Sequence, residues 1–387
     1  MKKFLDCISI VGATPSKFHG TKKYVSTGAV ATTEIDESEV VEVTYEDRPS
    51  RANLSAEAGD ILFAKMQGTR KTLLLDSETE ENIYSTGFYA VRANPEVITT
   101  ECLYYLIDSE LFLAQKDKNC SGATQKAITN GGMAKIEISV PALSEQGILV
   151  DKLKHLTQLI ADKKKQLNLF DEIIKSRFIE LFGDSEHNTR NWPTAKLSSL
   201  CYVGSSKRIY QSELTDNGIP FLRISDLNER IDGKDNAPQL FISTEKFDEL
   251  RSNRLIPLAG DVLVTTRGTL GRCYIIKESD SFYFQDGMIS WLSNICDSIT
   301  SLYVSELFAT AGVQKQIANL QAGSTVAYLS IAMLKKLDIM LPPLALQNQF
   351  AAFVEQVDKS KFYIIQMQIL LRLLIRAIQQ KTTEVLL

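Results

Sequence analysis

The chain repeats itself at a fixed offset, and this constrains its fold more than any other feature. Gly59-Asp60-Ile61-Leu62 returns 201 residues later as Gly260-Asp261-Val262-Leu263. Gly122-Ala123-Thr124 returns at the same offset as Gly323-Ser324-Thr325, and Lys135-Ile136-Glu137-Ile138 as Lys336-Leu337-Asp338-Ile339. Pro141 and Gln146 likewise return as Pro342 and Gln347. One constant offset along such a stretch means a single structural module written twice. Gly68-Thr69 and Gly268-Thr269 lie 200 apart, one residue off the rule, which predicts a loop deletion in the second copy.

Each copy closes with a long helical stretch. After Pro141, Ser144-Glu145-Gln146 supplies a helix start with an acid in the first turn. No proline follows before Leu181, and Gly183 supplies the stop. Leu153, Ile160, Leu167, Ile174 and Leu181 are spaced by seven, with Leu156 and Phe170 on the second seam position. The distal stretch repeats the pattern with Phe350, Val357, Ile364, Leu371 and Ile378, plus Phe353, Met367 and Leu374. Two such stripes in one chain predict an intramolecular coiled coil. The alternative is that each stripe packs on its own globular domain. At about 1.5 Å per residue, a spacer of roughly 35 residues is on the order of 50 Å long.

The expected organisation is therefore a globular domain over 1–143, a central spacer helix over 144–184, a second domain over 185–343 and a distal spacer helix over 344–387. Strands are expected at Ile61 to Met66, Thr72 to Asp76 and Gly87 to Ala93, and again at Val262 to Thr266, Cys273 to Lys277 and Met288 to Leu292. A helix around Thr99 to Lys116 has its counterpart around Ile299 to Leu320. Strands followed by helices in this order predict an α+β class, with two similar mixed α/β modules joined by the two long helices.

Chemistry of a catalytic kind is hard to find. There is no Gly-x-x-x-x-Gly-Lys phosphate loop, no Gly-x-Gly-x-x-Gly after a strand and no His-Glu-x-x-His. The three histidines, His19, His155 and His187, form no ligand pair, and the six cysteines are never closer than 18 residues. That spacing argues against structural zinc and for free thiols in a reducing compartment. Pro342-Pro343 lacks the polar and aromatic neighbours of a base-gripping methyltransferase loop, because Leu341 and Leu344 flank it. Gln366, Gln368, Arg372 and Arg376 interrupt the distal apolar stretch, so no bilayer-crossing run is expected. A soluble, cytoplasmic protein without a secretory leader is the expectation.

What remains suits binding. Between two expected strands the first copy places Lys65, Gln67, Gly68, Thr69, Arg70 and Lys71. The second places Thr265, Thr266, Arg267, Gly268, Thr269, Gly271 and Arg272 there. Arginine and lysine take phosphates or guanine edges, glutamine reads adenine, and glycine lets backbone approach a duplex. A second polar loop, with Thr124, Gln125 and Lys126, is matched by Ser324 and Thr325. In most chains such turns are simply solvated surface. The net charge of -4 adds no global attraction to nucleic acid.

At this point a resemblance can be placed. The run Gly260-Asp261-Val262-Leu263-Val264-Thr265-Thr266-Arg267-Gly268-Thr269-Leu270-Gly271 carries it. So do the helix openings ending in Gln146 and Gln347, the close Lys175-Ser176-Arg177-Phe178-Ile179-Glu180-Leu181-Phe182-Gly183-Asp184, and the duplication. Together they resemble the specificity subunit of type I restriction-modification systems over essentially the whole chain. The resemblance implies two target recognition domains joined by two antiparallel conserved helices. It implies a non-catalytic, DNA-reading subunit that binds a split target in double-stranded DNA. It implies recruitment of two methyltransferase subunits and of restriction/translocase subunits. S-adenosylmethionine, ATP and Mg are expected on those partners and not here. Gln67 and Arg70-Lys71 stand where the second copy has Arg267 and Leu270-Gly271, so base contacts do not transfer between halves. Competing readings are the recognition portion of a self-contained DNA methyltransferase or endonuclease, and a structural coiled-coil adaptor. Two unlike modules predict an asymmetric target of two short blocks, about one DNA turn between centres.

Overall fold

The computed structural model describes residues 1–234, 237–321 and 327–384. Two units result: Met1–Lys165 with Ile364–Leu387, and Gln166–Tyr363. Each holds one globular module and part of both long helices.

In the first unit a four-stranded antiparallel sheet runs in the order Ile8–Val11, Phe88–Ala93, Ile61–Ala64, Thr72–Leu74. Every residue of Ile61–Ala64 is buried, although a strand that faces water would alternate. The reason is that both faces are covered. Ile61 and Phe63 point into a core with Phe4, Leu103 and Phe112, whereas Leu62 and Ala64 point into another with Tyr84 and Phe88. A second sheet, ordered Val41–Val43, Lys22–Val25, Ile83–Ser85, Ala52–Leu54, contains one parallel pairing.

The second unit repeats this plan. Its antiparallel sheet runs Tyr202–Ser205, Ile289–Ser293, Val262–Thr265, Cys273–Ile275. Val262 and Val264 face the helices, and Leu263 faces Leu227, Phe284 and Trp291. Its second sheet joins Leu214–Thr215, Phe241–Ile242, Ile219–Leu222 and Tyr283–Phe284. Helices Ile224–Ile231 and Thr244–Ser252 complete it.

The structure corrects several expectations. Thr99 to Lys116 is two helices, Thr100–Ile107 and Glu110–Lys118, because Ser109 Oγ accepts the Phe112 amide at 3.1 Å and starts a new N-terminus. The counterpart splits likewise into Ser301–Phe308 and Ala311–Leu320. No loop residue has been deleted after the repeated strand. Ala64 N–H bonds Lys71 O at 3.0 Å and Thr265 N–H bonds Arg272 O at 2.9 Å, so the 201 offset holds on both sides of the hairpin. Only the glycine has moved within turns of equal length. Lys71 therefore matches Arg272, Arg70 matches Gly271, and Met66 matches Arg267.

The long helices are Leu143–Phe182 and Leu344–Glu384. Gly183 ends the first at φ +80°, its N–H on Ile179 O at 2.8 Å. A Cβ there would lie 2.6 Å from Thr189 Oγ1, so the stop needs glycine. In the second unit the helices run antiparallel: Phe182 and Phe178 pack on Phe350, Arg177 lies over Phe353, and Lys361 bonds Asp171 at 2.5 Å. In the first unit Gln368 Nε2 donates to Ile160 O at 3.4 Å.

Along the stripes Leu153, Ile174, Phe350 and Val357 are buried, and Ile160, Leu167, Leu181, Ile364, Leu371 and Ile378 are half-buried. Met367 and Leu374, expected in the seam, are 46% and 48% exposed. The inward positions are Val354, Lys361, Gln368 and Ile375, each one residue later, because the seam steps by four and then three. Both alternatives for the stripes hold at once in the second unit. Ile174, Phe178, Phe350 and Val357 share one core with Tyr303 and Leu307 of the module.

The distal helix is also long and apolar enough to cross a membrane by length and composition, contrary to the expectation from its polar interruptions. Averaging over a window outweighs Gln366, Gln368 and Arg372. Its Phe350, Val354 and Val357 are spent on the module core.

Candidate nucleic-acid interface

The hairpin loops lie at one end of each antiparallel sheet, and in the first module the hairpin lies beside the second polar loop. In the first module Gln67 N–H donates to Lys126 O at 2.9 Å and Ile128 N–H to Lys65 O at 2.9 Å. Met66 and Ala127 form an antiparallel bridge. The sequence-distant sets 65–71 and 121–126 are thus one surface. Thr124, Gln125, Lys126 and Gln67 are exposed on it, and Thr69 is half-buried.

The cations of that loop are mostly engaged. Arg70 grips Asp108 through Nε at 3.1 Å and a terminal nitrogen at 2.9 Å. The Asp108 hydrogen bond pushes the guanidinium further up, and burial pushes the Asp108 carboxyl up against the pull of Arg70. The bidentate geometry argues for an ionic pair. Lys71 Nζ donates to Thr27 O at 2.5 Å, and Lys65 Nζ to Thr86 O at 2.9 Å while lying 4.4 Å from the Tyr89 ring centroid. Beneath them sits Lys116, 2% exposed, whose Nζ donates to Met66 O and Thr69 O at 2.8 Å and to Ala64 O at 3.3 Å. Burial lowers its pKa. This buried ammonium fastens both flanks of the loop, and its counterpart at the 201 offset is the apolar Ile317.

The second module uses other means. Thr265 is fully buried; its Oγ1 donates to Thr269 O at 2.6 Å and accepts the Arg272 amide at 3.0 Å. Thr266 is 2% exposed, its carbonyl accepts Leu329 N–H at 3.1 Å, and its Oγ1 has no hydrogen-bond partner among the described residues. Burial thus departs from the expectation of two exposed threonines: Thr265 ends the strand Val262–Thr265, which is covered on both faces, and Thr266 follows it into the turn. Thr269 is exposed, and Arg267 lies half-buried over Tyr328, guanidinium carbon to ring centroid 4.4 Å. Arg272 bonds Asn228 Oδ1 at 2.9 Å and pairs with Asp232, whose carboxyl it holds below the usual range. Ser324 and Thr325 lie outside the described residues.

Sequence reasoning missed the loop that precedes the neighbouring strand. Lys65 N–H donates to Gly87 O and Thr266 N–H to Met288 O, so Thr86–Gly87 and Gln285–Gly287 line the same edges. Arg208 joins the second edge through Asp286 at 2.8 Å and remains 65% exposed. Tyr328 belongs there too. Lys207-Arg208 after a strand was the only signal available, and nothing local ties it to Arg267. Among the described residues no group of three or more His, Cys, Asp or Glu side chains could hold a metal ion.

Two like domains, each presenting a polar hairpin at one end of its antiparallel sheet, define a duplicated module. Residues 10–169 and 189–374 match the family described as Type I restriction modification DNA specificity domain, and the chain belongs to that family, in the class of specificity subunits. It is 26% identical over 245 residues to a putative type I restriction enzyme specificity subunit, S.HindORF215P, of Haemophilus influenzae, covering 62% of this chain and 60% of that one. It is 22% identical over 307 residues to the MjaIX specificity subunit of Methanocaldococcus jannaschii, covering 70% and 68%. The match thus spans about three-fifths of the first relative's length. A chain from a structure titled as the basis of complex assembly and conformational transition of the type I R-M system aligns over 97% of both chains. Its TM-score is 0.56 at 20% identity, a likeness of fold.

Proposed function

We propose that this chain is the DNA-reading subunit of a type I restriction-modification complex, with one recognition domain for each block of a two-block, asymmetric target. The observation that carries the reading is the pair of hairpins at one backbone position in each copy, filled with different side chains. Lys65, Met66, Gln67 and Arg70 stand in one, and Thr266, Arg267, Gly268 and Gly271 in the other. Like scaffolds with unlike tips suit unlike half-sites. The exposed Gln67, Thr124, Gln125, Lys126, Thr269 and Arg208, with Arg267, are the side chains proposed to meet DNA.

The helices recruit the partners. In the first unit Ile365, Ile369, Leu370 and Leu373 are exposed, and in the second Leu169, Ile173, Ile179, Phe362 and Tyr363. Apolar side chains bared in such numbers favour a protein partner. The proposed occupants are two methyltransferase subunits, joined in the full complex by restriction/translocase subunits. Methyl transfer and ATP-driven steps belong to them, and this chain supplies specificity.

Mapping methylated bases across the host genome, with the gene intact and deleted, tests the proposal. The expected result is a gene-dependent motif of two short blocks with an unspecified gap. A single continuous palindrome, or no gene-dependent motif, overturns it.

A further inference from the structure

We propose that Arg267, held over the ring of Tyr328, is a guanine-reading fork at an edge position where the first recognition domain has none. This role rests on the DNA-reading function proposed above and assigns a base to one of its residues.

The first support is geometric. With the guanidinium carbon over the Tyr328 ring, 4.4 Å from its centroid, contact with the ring face narrows the orientations open to the group. Its in-plane donors then point within a narrowed range of directions. A planar two-donor edge complements O6 and N7 of guanine in the major groove. A phosphate needs only a nearby positive charge, and a lysine or an unstacked arginine serves it as well. An aromatic platform under the guanidinium matters where donor direction matters.

The second support is electrostatic. Arg70, Arg92, Arg208, Arg230 and Arg272 are each neutralised by a carboxylate. Among the described residues no carboxylate pairs with Arg267, and its Nε is enclosed without a hydrogen-bond partner, so only the terminal nitrogens can meet an external acceptor. A half-buried cation with no local counter-charge stands ready for an external acceptor.

The third support comes from the duplication. Met66 and Ala127, bridged across the first module's edge, occupy the same backbone pair as Arg267 and Tyr328, 201 residues earlier. The Ile128 amide to Lys65 carbonyl bond and the Leu329 amide to Thr266 carbonyl bond anchor that equivalence. A thioether and a methyl cannot form the fork, so the first block lacks this contact.

Genome methylation maps of the native host carrying the parent chain, Arg267→Lys, Tyr328→Leu or Tyr328→Phe provide the test. Lysine keeps the charge and loses the fork, leucine removes the platform, and phenylalanine keeps it. In the parent, one block should contain a G·C pair whose discrimination falls about 5- to 150-fold in Arg267→Lys, at that pair alone. Tyr328→Leu should fall between, and Tyr328→Phe should match the parent. Unchanged preferences in Arg267→Lys, or an even loss over all positions as a phosphate contact gives, overturn the fork while leaving the two-block reading intact. A parent map without any gene-dependent motif overturns that reading and the fork with it.

Discussion

Gln347 holds Thr300: its Oε1 accepts the Thr300 amide at 2.9 Å while its Nε2 donates to the carbonyls of Ser298 and Pro342. Gln146 does the same for Thr99, Val97 and Pro141 in the other copy. Both glutamines are fully buried in the first turn of a long helix. One side chain thus ties the spacer to the cap of the module's helix, which explains why this glutamine recurs at the repeat offset.

Replacing Gln347 by Leu should leave one amide and two carbonyls unpaired in a dry site. A loss of about 2–3 kcal/mol is expected, because a buried unsatisfied group costs about 1–3 kcal/mol and some will rehydrate. Urea unfolding of the full chain measures it, and parental stability would show that the clamp is dispensable.

Phe350 is fully buried between Phe178 and Phe182, whereas Leu373 is 49% exposed. Phe350→Ala should cost about 3–5 kcal/mol by opening a cavity. Leu373→Asp should leave the melting temperature close to the parent's and weaken copurification of the methyltransferase. Equal stability loss in both would contradict the assignment of inner and outer faces.

Lys116 separates positioning from contact in the first domain. Lys116→Met keeps the side-chain length but strips three carbonyls of their donor, with a cost of about 2 kcal/mol expected. Reading of one DNA block should blur, and the other block should remain sharp. A methylation map that loses both blocks equally would point to general unfolding. Arg70→Ala and Arg272→Ala are poorer probes than the sequence suggested, since each also frees a carboxylate, Asp108 or Asp232. Gln125→Ala and Thr269→Ala, on exposed positions, should each relax one block.

His187 and Asp184 set a pH dependence just beyond the Gly183 stop. Nδ1 lies 2.5 Å from Asp184 Oδ2, and the carboxylate raises the imidazole above its ordinary 6.5, while the imidazolium holds Asp184 below 3.8. The stabilisation from His187 is complete below about pH 6.5 and is lost as pH rises through its higher folded value. That from Asp184 is lost as pH falls through its own lowered value. An NMR titration should therefore show His187 above 6.5, returning towards it in Asp184→Asn; no difference between the two would remove the pair.

The repeat, the α+β class and the long helices were legible in the sequence because they depend on local spacing. A 201-residue offset, a seven-residue stripe and a proline-free run need no partner to be recognised. The hairpin strands were legible for the same reason, although Ile61–Ala64 and Val262–Thr265 read only as apolar runs. What needed the tertiary structure was everything set by contacts between distant segments. Local composition marked Thr265 and Thr266 as polar loop residues, but layers packed on both faces of the sheet bury them. It also left Arg70 and Arg272 indistinguishable from free cations, because Asp108 and Asp232 lie about 40 residues away in sequence. Lys116 beneath the loop, and Tyr328 beneath Arg267, could be found only after folding. A side chain's chemistry is written in the sequence, but its solvent exposure and its partners arise when the chain closes on itself.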